Sequence, residues 1–274
     1  MTYQSKGGYK NKYVEQIKMG HIRIGVLPKT RKWKQVISLL NSKESSTSEI
    51  ASETAKAAKD FFIEKKFDPS LTFSYWLLTQ ITYRAKQDDY ISALRKIDLD
   101  ISRVKNSFDF VGQVANFSKN QIKKRGESFP ISDIAQLALR EVLTESIGEE
   151  SKSLFGTTFN DIKRACLRYS SPGNFSKLAR LYFSKVFMRG LKFLIDKESA
   201  NNVGIGKKFE TVFDLTDFST ALETYCYQSA KIVEKFAEGW YSKRNWQGGI
   251  SEKDAQGFVA VAVDKFRAEI AREN

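Results

Sequence analysis

Proline is rare in this chain, and its four copies stand far apart, at positions 28, 69, 130 and 172. Between them, apolar residues recur at spacings of three and four, which is the pattern of one buried face of an α-helix. The 16 glycines are too few to supply the turns of a sandwich built from many short strands. The sequence therefore predicts an all-α, multi-helix globular domain of about ten helices.

Residues that cap helices, together with Gly and Pro breaks, give approximate bounds for these helices. The predicted helices cover 30–40, 47–66, 70–84, 89–103, 106–124, 132–142, 158–169, 174–197 and 216–240, with a last one after Ser251. Their predicted caps are Thr30, Ser46, Ser132, either Thr158 or Asn160, Thr216 and Ser251. Alternating apolar residues at 22–26 and within 203–211 add, at most, a short two-stranded β accessory.

The same patterns suggest a simple domain organisation. Residues 1–19 lack apolar periodicity and are predicted to form a basic, flexible tail, while residues 20–274 form the helical domain. A sub-boundary is possible near 126–130, where Gly126 and Pro130 interrupt the helical pattern. Hydrophobic residues at 41% are enough for a substantial core.

Positive charge is concentrated at the amino terminus. Residues 1–41 hold nine basic and one acidic side chain, a net charge of +8 out of +13 for the whole chain. The bases are Lys6, Lys10, Lys12, Lys18, Arg23, Lys29, Arg31, Lys32 and Lys34, with Tyr3, Tyr9, Tyr13 and Trp33 between them. Cations interleaved with aromatic rings are typical of segments that bind phosphates and stack on bases. The alternative is a solvated tail that only aids solubility.

A second basic segment covers residues 162–195, which contain eight basic side chains and no acidic one. On an ideal helix, five of them fall within about half the circumference: Lys177, Arg180, Lys185, Arg189 and Lys192. This basic stripe is predicted either to line a phosphate-binding groove or to pair with carboxylates on neighbouring helices, such as Glu141, Glu145 or Asp196.

A third candidate is the segment 240–249, which is predicted to be a loop. It contains Trp240, Tyr241, Lys243, Arg244 and Trp246, the residue types that dominate binding hot spots. Trp240 continues the apolar stripe of its helix and is expected in the core. Lys243 and Arg244 are candidate nucleic-acid ligands. The alternative packs Trp246 into the core together with Trp240 and leaves Gly248 and Gly249 as a turn.

Side chains suited to catalysis are scarce. His21 is the only histidine, and Cys166 and Cys226 are expected to be two buried thiols in a reducing cytoplasm. Carboxylates occur in pairs, such as Asp214 and Asp217, without the spacing of a known metal motif. The sequence therefore predicts no enzyme, no catalytic residue, no metal site, no cofactor, no small-molecule substrate and no membrane span.

These features favour a cytoplasmic, non-enzymatic subunit of a larger bacterial-type assembly, which binds DNA or RNA largely without sequence specificity. Two alternatives remain open. The basic face could dock an acidic partner, which would make the chain a protein–protein adaptor or scaffold subunit. Carboxylates from distant helices could also converge and form an unrecognised metal-dependent nuclease.

Overall fold

Helices form nearly all regular structure in the computed structural model, which describes residues 27–126, 128–151 and 158–272. These ranges contain eleven α-helices and one π-helical turn at Thr144–Gly148. The α-helices are α1 (Arg31–Leu40), α2 (Thr47–Glu64), α3 (Pro69–Arg84), α4 (Tyr90–Arg95), α5 (Ser107–Lys124), α6 (Ile131–Leu143), α7 (Phe159–Arg168), α8 (Pro172–Asn201), α9 (Val212–Ser229), α10 (Lys231–Trp246) and α11 (Glu252–Arg272). The predicted all-α, multi-helix class is therefore confirmed.

Four predicted helix starts are confirmed by side chains that cap the first backbone amides. Thr30 accepts a hydrogen bond from the amide of Trp33 at 3.4 Å, which opens α1. Ser46 caps α2 in the same way. Thr158 and Ser251 each form a reciprocal capping box with an aspartate three residues later. Such caps involve only neighbouring residues, so the sequence alone reveals them.

The predicted helix over 89–103 is too long, because α4 already ends at Arg95. Asp98 has a left-handed backbone, with a φ of 64°. The amide of Leu99 donates to the carbonyl of Leu94 at 3.2 Å, and the amide of Asp98 donates to that of Arg95 at 2.9 Å. These two bonds form a Schellman motif, which ends a helix by satisfying its last carbonyl groups.

Two other predicted starts are wrong. α6 begins at Ile131, so Ser132 lies inside its first turn and does not cap it. Thr211, not Thr216, caps α9, where its side chain completes a capping box. The apolar stripe that predicted one long helix belongs to α9 and α10, which meet at Ala230.

The predicted β accessory is reduced to a single contact in the described ranges. Val203 and Phe209 form an isolated bridge, and neither belongs to a strand. The strand predicted over residues 22–26 and the basic tail of residues 1–19 lie outside the described residues.

One hydrophobic core extends from Trp33 to Ile270 and includes buried residues on both sides of the 126–130 segment. α8 lies at its centre and contacts α1, α2, α6, α9 and α10. α3 contacts α6 and α11, so the two halves of the chain share their core across the proposed sub-boundary. Rings meet closely inside it: Phe187 stacks on Phe266 with centroids 3.4 Å apart, and Tyr75 stacks on Phe258 at 4.7 Å.

Gly190 allows α8 to approach α2. A Cβ atom at this position would lie 2.5 Å from the ring of Phe62, well inside van der Waals contact. That ring is buried and meets Phe187 and Phe266 edge-on, so it has little room to move. The close approach of the two helices therefore depends on the absence of a side chain at Gly190.

We predict that Gly190→Ala lowers the free energy of unfolding by about 1–3 kcal/mol, the usual cost of overpacking a core. The gain in helix propensity, about 1 kcal/mol, offsets only part of that cost. Urea unfolding followed by circular dichroism measures the change.

Gly239→Ala is the matched control. Gly239 is an exposed residue inside α10, and an added Cβ there would meet no atom within 4 Å. This variant should be more stable than the original chain by up to about 1 kcal/mol. Equal effects of the two substitutions would contradict the proposed role of Gly190.

Candidate nucleic-acid interface

The described part of the basic amino-terminal segment is the outer edge of α1. Lys29, Arg31, Lys32 and Lys34 are all exposed. Trp33 is 2% exposed and packs into the core with Val36 and Leu40, so its ring is not available for base stacking. The helix is therefore amphipathic, with cations along its outer face.

The positive charges of α1 lie at its amino-terminal end, where a helix disfavours positive charge. Its first turn contains basic side chains and no acidic one, although the amino-terminal end of a helix favours negative charge. Among the described residues, no carboxylate lies within 4.0 Å of these four cations. A bound anion would relieve both unfavourable features.

Lys59 of α2 extends this basic edge. The ammonium of Lys32 lies against that of Lys59, and this contact, together with partial burial, lowers the pKa of Lys32. Asp60 and Glu53 are close enough to oppose the shift without reversing it. The two neighbouring ammonium groups repel each other, and a phosphate bound between them would relieve that repulsion. The sequence analysis missed Lys59, because the neighbour relation arises only when α1 packs on α2.

Lys6, Lys10, Lys12, Lys18 and Arg23 lie outside the described residues.

The middle of the basic stripe on α8 is occupied by ion pairs. Lys185 is buried, and its Nζ lies 2.7 Å from Glu145 and 2.6 Å from Glu223. Burial alone would lower the pKa of Lys185, but the hydrogen bonds that its ammonium donates to the two glutamates raise it above its ordinary value. Arg189 forms a bidentate pair with Glu141. Pairing with carboxylates of neighbouring helices is thus what the structure favours for these two residues.

Arg180 is engaged in the same way. Its guanidinium forms an ion pair with Glu234 at 2.9 Å, donates to the carbonyl of Tyr227 at 3.0 Å and stacks over the ring of Tyr227 at 3.8 Å. Arg180, Lys185 and Arg189 therefore hold α8 against its neighbours and present no open row of cations to a phosphate backbone.

The two ends of the stripe differ from its middle. Lys177 is exposed at an open pocket of about 400 Å³ between the start of α8 and α10. Lys231 and Lys235 line this pocket together with Glu234 and Glu238, so its charge is mixed. Lys192 is half-buried and lies one helical turn before Asp196. Neither end forms a continuous basic surface with the other candidates on this helix.

The segment predicted as a loop at 240–249 is largely helical, because α10 continues to Trp246. Trp240 packs on Phe258 as expected, and Tyr241 is fully buried. Arg244 is paired with Asp254 at 3.1 Å, whereas Lys243 is exposed. Trp246 is 87% exposed, so the two tryptophans of this segment have opposite environments.

Another basic surface, which the sequence analysis did not single out, lies at the end of α5. Lys119, Lys123, Lys124 and Arg125 are all exposed there. Arg125 joins this surface to α11 through an ion pair with Glu252 at 2.8 Å. The run of three consecutive bases at 123–125 was the sequence feature that could have revealed it.

Groups suited to catalysis are not brought together in the described ranges. These ranges contain no group of three or more His, Cys, Asp or Glu that could hold a metal ion. Asp214 caps a helix, and Cys166 and Cys226 are buried free thiols, as predicted. Burial raises the pKa of Cys166 to about 12, which suppresses its nucleophilic thiolate form. No helix in these ranges is long and apolar enough to cross a bilayer.

We predict that Lys185→Glu lowers the free energy of unfolding by about 2–3 kcal/mol, because it replaces the shared cation of two glutamates with a third carboxylate. Breaking a buried ion pair usually costs about 3–5 kcal/mol. We expect a smaller loss here because Glu145 and Glu223 are about half exposed. Urea unfolding measures the loss. Lys177→Glu, an exposed change on the same helix, is the control and should cost less than about 0.5 kcal/mol. Similar losses in both variants would contradict a structural role for Lys185.

Comparison of the chain with protein families, with curated proteins and with solved structures finds no match.

Proposed function

We propose that this chain is a non-enzymatic, nucleic-acid-binding subunit of a larger bacterial-type assembly. It binds the phosphate backbone through the amino-terminal segment and α1, and it reads little or no base sequence. As part of the proposal we place it in the cytoplasm, which is supported by its two unpaired, buried cysteines.

The observation that carries the proposal is the contrast between the two basic helices. Arg180, Lys185 and Arg189 of α8 are neutralised by carboxylates. Arg31, Lys32 and Lys34 of α1 are exposed, with no carboxylate of the described residues at ion-pair distance. Exposed cations with no carboxylate at ion-pair distance can displace condensed counterions from a nucleic acid, and this displacement drives non-specific binding.

Binding without sequence specificity is supported by the basic side chains of α7. Its three bases are already engaged: Arg164 pairs with Asp161, Arg168 pairs with Glu150, and Lys163 donates to the carbonyl of Asp88 at 2.8 Å. Direct readout needs side chains free to reach base edges in the major groove. Phosphate contacts, which carry no sequence information directly, remain the better match to the exposed bases of α1.

A protein–protein adaptor is the second candidate function. Ile205 is fully exposed near the start of α9, and Val212 and Phe213 are 70% and 82% exposed. Apolar side chains grouped on a surface often mark a protein contact. An adaptor would keep its partner at high salt, whereas binding to a polyanion weakens steeply.

We predict that the triple change Arg31→Glu, Lys32→Glu and Lys34→Glu removes most of the affinity for nucleic acid. For duplex DNA, each lost phosphate contact should reduce the slope of log K against log salt by about 0.9. Gel shifts with labelled DNA across a salt series measure both the affinity and the slope.

The control triple is Lys96→Glu, Arg103→Glu and Lys105→Glu, which changes the net charge by the same amount at exposed positions elsewhere. It should bind with a nearly unchanged salt slope. Equal loss in both triples would mean that net charge, not the α1 surface, determines binding. An original chain that fails to shift any probe would refute the proposed function.

We also predict that deleting residues 1–19 weakens binding without unfolding the protein. The deletion removes Lys6, Lys10, Lys12 and Lys18, while the first helix and all described core residues remain. Circular dichroism should be unchanged outside experimental error. Unaltered affinity would show that the tail makes no phosphate contacts, and lost helicity would show that it is part of the fold.

A further inference from the structure

Trp246 has an environment unlike that of the other tryptophans. Its side chain is 87% exposed at the end of α10. Trp33 is buried in the core, Trp76 donates its indole N–H to the carbonyl of Ile250 at 3.0 Å, and Trp240 packs on Phe258. An indole left in solvent loses the large burial energy that a tryptophan normally gains. The position therefore suggests a ring kept for contact with another molecule.

The backbone beside Trp246 is held firmly, so the ring is presented from a defined place. Arg244 pairs with Asp254 and also donates to the side chain of Gln247 at 3.0 Å. The amide of Gly249 donates to the carbonyl of Arg244 at 3.0 Å. The carbonyl of Ile250 accepts hydrogen bonds from two side chains of α3. These bonds tie the end of α10 to α3 and α11.

Gly248 and Gly249 make this turn possible. Their φ angles are +95° and +135°, which residues with a Cβ atom rarely adopt. The turn brings Gly249 against the ring of Tyr83, and Lys86 lies over the same ring with its Nζ 5.7 Å from the centroid. A second aromatic ring and a cation therefore lie beside the segment that carries Trp246.

The carboxylates that follow Trp246 at the start of α11 are already paired. Glu252 pairs with Arg125 and Asp254 pairs with Arg244. The exposed lysines on the elements joined by these pairs are Lys119, Lys123, Lys124, Lys243 and Lys253. Asp89, beyond Lys86, is used to cap α4. The surface thus combines an exposed indole with a group of exposed lysines.

We propose that Trp246 is a stacking platform for a base of single-stranded nucleic acid, and that the surrounding lysines hold the flanking phosphates. The inference rests on the proposed function and names its ligand as a single strand. In a duplex the bases are already stacked on one another, so an exposed ring gains only from a strand whose bases are free. Phosphates are the groups that the lysines of this surface complement.

Tryptophan fluorescence of the full chain tests the proposal directly. We expect oligothymidylate of about 16 nucleotides to quench the emission of the exposed indole, and Trp246→Phe to remove that quenching while keeping part of the affinity. Trp246→Ala should weaken binding to oligothymidylate by about 5- to 100-fold, the effect of losing one base stack. Its affinity for duplex DNA should be unchanged.

Phe213→Ala is the matched control, because Phe213 is another aromatic residue that is 82% exposed at a helix end. It should bind both probes like the original chain. The salt dependence of binding distinguishes the two surfaces. Trp246→Ala should lower affinity for the single strand without altering the salt slope, whereas the triple change on α1 should lower the slope.

Several results would overturn the inference. If the original chain binds DNA but Trp246→Ala binds oligothymidylate equally well, the stacking platform is refuted while the proposed function stands. If Trp246→Ala weakens single-strand and duplex binding equally, the ring has no stacking role. If the original chain binds neither probe, the proposed function fails and this inference fails with it.

Discussion

The burial of α8 is the constraint on which the rest of the structure depends. Five helices pack around it, and 15 of its 30 residues are buried. A charge cannot be taken out of water without compensation, since the desolvation cost amounts to several kcal/mol for each ion. Lys185 therefore requires Glu145 and Glu223, and Arg189 requires Glu141. These pairs set which faces of α6, α9 and the π-helical turn meet the central helix.

The same constraint separates structural charge from charge available to a partner. Arg180, Lys185 and Arg189 of α8 and the three bases of α7 are tied to carboxylates or carbonyl groups. On α1, at the end of α5 and around Trp246 the lysines extend into solvent. A count of charges along the chain cannot make this distinction. It appears only when the partners of each base are known, and it shifts the proposed interface away from the centre of the molecule towards its edges.

Close packing of rings complements the ion pairs. Phe62, Phe187 and Phe266 meet in one cluster, and the absence of a side chain at Gly190 lets α2 approach α8 there. Protein interiors are packed as densely as organic crystals, so a single extra methyl group disturbs the packing. The aromatic core thereby holds α2 in place, and α1 packs on α2, which brings Lys32 beside Lys59. The candidate interface is positioned by this packing.

The sequence by itself determined the helical class and many helix starts, because helical periodicity and caps such as Thr30, Ser46 and Thr158 involve residues close together in the chain. It also located the excess of positive charge at the amino terminus. Only the tertiary structure decided the partners of Lys185 and Arg189, the exposure of Trp246, the burial of Tyr241, and the division of one apolar stripe into α9 and α10. Each of these depends on contacts between residues far apart in sequence, and no local pattern of charge or hydrophobicity specifies which helix lies opposite.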